Sequence, residues 1–446
     1  MNRHPRHIGW LVNGCTMLFA PLAIAWSDHA TLAWPLLRIM PETTVQESVL
    51  VETLPEFLAA ESESVAALLA QHELWAQSAL PHYARLPQQL VFDASLNNVA
   101  LERSFLEAIR VNPKRSYRPY VQHIEGSMAL APEGVISVSE LTFLQGTIES
   151  SRTTYVGLSS GDRVDPAVVL ATASDEPDFG MDIGLFSDNG TDLGLRYGFG
   201  PQPFGNPNLE YGSQAPFHMG FYHLDWLTQK VQPGLLATYP LYRTELYRKL
   251  AILAFQSGHD YWGWRFMGWG LHYVGDLAQP YHAVPLPGVG LLGSLLTVIR
   301  GEVEQAIQLV SNRHVVLESF QYQVVRSAVA EQDWDQSTLA EIATLHEGGE
   351  WQEDTVVNRL TASSAEAADD LDAALETHAP ALLVADPNFE FSGSPQEADI
   401  LKVIEAHSED ATAGLTTAVD AQMARFSRFA QEWIRSILIA GETPDS

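Results

Sequence analysis

LHYVGDLAQPYHA, residues 271–283, decides how the rest of the chain is read. Four residues separate His272 from Asp276, so a helix would place imidazole and carboxylate on one face, one turn apart. Pro280 ends or kinks that helix and pushes Gln279 towards extended geometry, which offers His282 from a new direction. Imidazole and carboxylate suit zinc, and a chain that bends between ligands can wrap a cluster instead of one ion. Taken alone, the stretch reads equally as a helix with a capping aspartate and two incidental histidines. A second pair tips the balance. In RHVVLES, residues 313–319, His314 and Glu318 are again one turn apart, and His282 lies between the two pairs. Together they supply five hard or borderline ligands.

Working outward, helical periodicity covers most of the chain, including residues 47–76, 100–111, 239–256, 261–277, 291–309, 313–330, 352–377 and 397–439. The class is therefore mainly α. Residues 112–158 have no clear period, and VISVSELTFL (135–144) reads as a strand or a buried helix. Residues 188–212, rich in Gly, Asn, Asp and Pro, read as a long surface loop. No repeat or linker divides the 446 residues. The aromatic run YWGWRFMGWG (261–270), with glycines interleaved, predicts tight helix packing.

Residues 1–25 have a secretory form. Arg3 and Arg6 precede an apolar segment, 8–22, and Ala23-Ile24-Ala25 has the small-x-small pattern of a cleavage site. Cleavage after Ala25 predicts a secreted or periplasmic protein. Cys15, the sole cysteine, lies in this segment, so the mature chain would have neither disulfides nor thiolate ligands. Lipid attachment at Cys15 is a weaker alternative. The segment holds two of the 25 Lys and Arg and no Asp or Glu, so removing it takes the formal net charge from −30 to −32. Such a surface repels nucleic acid and anionic membrane at long range. An anionic substrate would need local positive charge, which bound metal ions can supply.

HYVGDLAQPYHA followed by H-x-x-x-E resembles the zinc-dependent phospholipase C family and its relatives, the S1/P1-type nucleases. The resemblance implies a multi-helix phospholipase C/P1 nuclease-like fold and three zinc ions. In that family the N-terminal tryptophan of the mature chain is a ligand, and cleavage after Ala25 would place Trp26 there. His29, in DHATLAW, resembles the early histidine; Asp178, in EPDFGMD, and His218, in APFHMGF, resemble two more ligands. The implied first zinc takes Asp178, His218, His272 and Asp276. The second takes His282, His314 and Glu318. The third takes Trp26 backbone groups and His29, with Asp276 bridging to the first. Asp182 remains an alternative to Asp178, His223 to His218, and Asp175 is a remoter candidate.

The departures from the family are insertions. Residues 37–170, within a single domain of 26–446, exceed the family's span, and the stretches before His218 and between His282 and His314 are also enlarged. The implied chemistry is attack on phosphorus by a zinc-bridging hydroxide. Asp178 would serve as base or orienter and Asp276 as bridge. Glu318 resembles the phospholipases, since the nucleases place an aspartate there, and the implied products are diacylglycerol and a phosphorylated headgroup. Residues 284–299, VPLPGVGLLGSLLTVI, opening at Val284 and closing at Ile299, carry no charge and suit either burial or transient contact with a membrane surface. Phe217, Tyr222, Trp264 and Tyr281 could cage a choline headgroup or pack the core. The alternatives are an S1/P1-type single-strand nuclease and, in another class, a non-catalytic metal-stabilised envelope protein whose inserted segment binds a partner.

Overall fold

A computed structural model of the chain describes residues 28–44, 47–124, 134–144, 153–205, 211–288 and 303–442. The helices used below are α1 (His29–Leu37), α2 (Leu54–Ala79), α3 (Asn98–Ala108), α4 (Pro166–Ser174), α5 (Ala215–His218), α6 (Pro240–Gln256), α7 (Asp260–Ala278), α8 (Pro280–Ala283), α9 (Val303–Glu331), α10 (Ala368–His378) and α11 (Ala411–Gly441). The fold is mainly helical, and it is built around α7.

All residues of α7 after Asp260 are buried, as a helix with apolar residues on every side must be. Helices α4, α6 and α11 enclose it. Two glycines set the distances. A Cβ at Gly268 would stand 2.6 Å from the Leu170 carbonyl oxygen, and one at Gly270 would enter the Trp433 ring. The one cation in this helix, Arg265, is buried against Glu176 (2.8 Å) and the carbonyls of Tyr117 and Arg118. Arg115 and the Trp269 indole N–H converge on the same carboxylate. A buried ion pair adds little net stability, but an unmatched charge there would cost several kcal/mol.

Helix α7 ends as its sequence predicts. Gln279 is extended (ψ 122°) and Pro280 opens α8, which turns the corner before His282. The glycine-spaced aromatics also pack as expected. Two other expectations need correction. Residues 135–144 form neither a full strand nor a buried helix: a two-residue strand, Val135–Ile136, leads into a 3₁₀ turn, Val138–Glu140. Residues 188–205, read as loop, contain a helix, Asp192–Tyr197, because Thr191 caps it, Gly198 stops it and Leu193 and Tyr197 bury themselves.

The inserted segment shares the main core. Phe57 of α2 and Phe105 of α3 both meet Phe266 of α7, with centroids 5.7 and 6.2 Å apart. Its ends are clasped by an antiparallel pair, β1 (Val49–Leu50) with β5 (Arg163–Val164). Between them β2 (Tyr120–Gln122), β3 (Val135–Ile136) and β4 (Tyr155–Gly157) form a sheet of order β2-β4-β3.

Candidate metal centre

Four separate segments bring the first donor group together. His272 and Asp276 project from the last turns of α7, and His272 Nδ1 donates to the Ser174 carbonyl (2.8 Å) at the end of α4. That bond leaves the Nε2 lone pair facing inward, the arrangement used by metal-binding imidazoles. His218, at the end of α5, places Nδ1 3.0 Å from His272 Nε2 and 2.8 Å from Asp276 Oδ2. Asp178 sits on the 3₁₀ turn Glu176–Phe179, with Oδ1 3.8 Å from His272 Nε2 and 3.9 Å from His218 Nδ1. His29, the first residue of α1, brings Nε2 to 3.5 Å from Asp276 Oδ1.

A second donor group adjoins the first. His282 Nδ1 lies 2.9 Å from the His218 carbonyl, so its Nε2 is the inward atom. That Nε2 is 3.1 Å from His314 Nε2 and 3.5 Å from Glu318 Oε1. Glu318 Oε1 is in turn 2.8 Å from His314 Nε2. The donor atoms form three sets, His29–His272–Asp276, Asp178–His218–His272 and His282–His314–Glu318, each within 4.8 Å, and each set could hold a metal ion.

Charge and burial favour a cation. Asp276 is fully buried, yet His272, His218 and His282 hold its carboxyl well below the usual range against the cost of burial. Burial opposes a charge on His218 too, but Asp276 and Asp182 pull it up to about 10. Burial drives His29 the other way, down to about 3. Asp276 Oδ1 and Glu318 Oε2 are buried and accept no hydrogen bond. Imidazole nitrogens and carboxylate oxygens that face one another across 3–4 Å are a donor set suited to cations. The residues are compatible with three metal ions, His272 being common to two of the sets.

Asp178 is the member that reaches solvent, with 19% of its side chain exposed. Burial pushes its carboxyl up to about 6, against the pull of His272 and His218.

The neighbouring acids have other partners. Asp175 accepts from the Ala30 N–H (2.9 Å) and Gln122 (2.6 Å), which ties the turn to α1 and β2. Asp182 takes Arg243 (Nε 3.0 Å) and the Tyr273 hydroxyl (2.5 Å), and its Oδ2 stands 3.6 Å behind His218 Nε2. His223 points away, 2.8 Å from the Val357 carbonyl. Sequence reasoning missed these braces and Asp372, which accepts from Tyr281 (2.7 Å) and pairs with Arg313 (2.5 Å), the residues preceding His282 and His314. Arg265 inside an apolar helix was the available signal that a buried carboxylate must exist.

Trp26 lies outside the described residues, as do residues 289–299 of the uncharged stretch. Phe217, Trp264 and Tyr281 are buried and Tyr222 is half-buried in core packing, so they form no open aromatic cage. Tyr281 stacks on the His314 ring, centroids 5.5 Å apart. Beside that pair lies an apolar pocket of about 80 Å³, lined by Phe204, Met219, Phe221, Leu235 and Ile307 among others. No helix among the described residues is long and apolar enough to cross a membrane. No protein-family model, curated protein or solved structure matches this chain.

Proposed function

We propose that this chain is a secreted or periplasmic zinc-dependent phosphodiester hydrolase of the phospholipase C type. The observation that carries the reading is the joining of the donor sets through Asp276 and through the His282–His218 contact, beside an apolar pocket. Zinc bound there supplies a Lewis acid for the phosphoryl oxygens and a water acidified enough to attack phosphorus. The protein's own part is to position and to move protons. Ser174 and His218 carbonyls fix the rings of His272 and His282, while Asp276 faces both His29 and His218. Asp178, alone at the solvent edge and accepting from Gln214 (3.2 Å), is placed to orient the nucleophile and take its proton.

The pocket favours an apolar leaving group. Met219 and Tyr281 neighbour the ligands His218 and His282 in sequence, and His314 forms part of the wall, so a lipid's glycerol end can lie there while its phosphate faces the donors. A net charge of −30 opposes the approach of a long polyanion, which weighs against the nuclease reading.

The test is metal analysis of the purified protein together with hydrolysis of phosphatidylcholine and of single-stranded DNA. Zinc near three per chain and release of diacylglycerol are the expected results. DNA cleavage without lipid cleavage would transfer the assignment to the nucleases. Zinc without either activity would support a metal-stabilised binding protein. N-terminal sequencing checks the implied start at Trp26.

A further inference from the structure

A larger groove, whose lining contains none of the donor residues, runs between α3, the start of α2, residues 113–119 and residues 191–196. It encloses about 1160 Å³. Arg103, Lys114, Arg115, Arg118 and Arg196 line it, a fifth of the 25 Lys and Arg in a chain of net charge −30. Against them stand Glu102 and Asp192.

Internal pairing is shared among the arginines and leaves Lys114 without a partner. Arg103 and Arg196 share one carboxylate, Glu107 (3.0 and 2.9 Å). Arg115 and Arg265 share Glu176, and the Nε and Nη1 of Arg115, fully buried in the wall, have no acceptor. Lys114 is exposed and makes no ion pair among the described residues. Arg118, 41% exposed, pairs with Glu140 through Nη1 (2.9 Å). Much of the remaining surface is apolar. Leu54, Leu106 and Leu193 form buried parts of the lining, while Val99 and Leu195 stand 75% and 73% exposed. An unpaired lysine and a half-exposed arginine beside an apolar channel match one ligand chemistry.

We propose that this groove binds an anionic amphiphile, an alkyl or acyl chain with a phosphate or carboxylate head. The head lies against Lys114 and Arg118, and the chain crosses Val99 and Leu195. The site is independent of the hydrolase reading.

Calorimetric titration of the purified full chain with dodecyl phosphate and with dodecanoate, below their micellar concentrations, tests it. The expected result is saturable binding by at least one of them, and the tighter head identifies the source. Lys114→Glu should weaken it about tenfold and Leu195→Gln about threefold. Both side chains are exposed, so both variants should fold, which circular dichroism checks. Equal affinity for neutral dodecyl maltoside, or for inorganic phosphate, would overturn the proposal. So would the absence of binding, or binding that neither variant diminishes, since such binding belongs to the metal centre.

Discussion

The two donor groups are assembled in opposite ways. The first draws His29, Asp178, His218, His272 and Asp276 from four segments spread over 248 positions of the numbering, and buried arginines stand behind it. Arg243 holds Asp182, which backs His218, and Arg265 holds Glu176, two residues before Asp178. The second takes His314 and Glu318 from adjacent turns of α9 and His282 from the corner after α7. One carboxylate, Asp372, braces its flanks through Tyr281 and Arg313. A site made from distant segments must be held by charge buried deep in the core. A site made mostly on one helix has its geometry set by the backbone and needs only a clamp.

The severest way to break this contrast is at the residue both groups face. Asp276→Asn removes the charge between His29 and His218, and we expect the proposed phosphodiesterase activity to fall at least about 1000-fold, with loss of bound metal. Activity and metal content near wild type would refute its bridging place. Next in size is Arg243→Met, which strands the buried Asp182 charge and should cost about 3–5 kcal/mol in urea unfolding. Adding Asp182→Leu should recover most of that. If the double variant is no more stable than the single one, the ion pair is not the brace.

A smaller effect concerns charge within the first group. The Asp178 carboxyl is raised to about 6 in the fold, so the folded chain binds its proton more tightly than the unfolded chain does. The metal-free protein therefore loses stability from this group as pH rises through 6, and is spared the loss below about 4. Asp178→Asn should stabilise metal-free protein by about 3 kcal/mol at pH 7 and leave it nearly unchanged at pH 4. An equal difference at both pH values would contradict this. Smallest is Tyr281→Phe. Arg313 still satisfies Asp372, so the loss should be about 1 kcal/mol. Metal affinity should fall slightly, and an affinity unchanged within error would remove Tyr281 from the clamp.

The same contrast explains what could be read in advance. His272/Asp276 and His314/Glu318 announce themselves because helical periodicity turns a four-residue step into a shared face. Pro280 likewise gives away the corner. Asp178 could not be separated from Asp175 and Asp182, since a 3₁₀ turn has no long period to say which carboxylate points inward. The choice was made by partners distant in sequence: Ala30 and Gln122 for Asp175, Arg243 and Tyr273 for Asp182. Residues 112–158 were opaque for a related reason, because strands of two or three residues are too short to show alternation. Tight packing of α7 was legible, from its interleaved glycines and aromatics, whereas its burial on every side emerged only in the fold.

The contact between His282 Nδ1 and the His218 carbonyl makes a ligand of one group orient a ligand of the other. An ion that fixes His218 also fixes the peptide that aims His282, and thermodynamic reciprocity requires the second ion to return the same favour to the first. Loading should then be cooperative, with a metal titration steeper than independent sites allow. Partly filled molecules would be scarce, and the protein would answer the metal concentration around it as a threshold, switching between empty and complete.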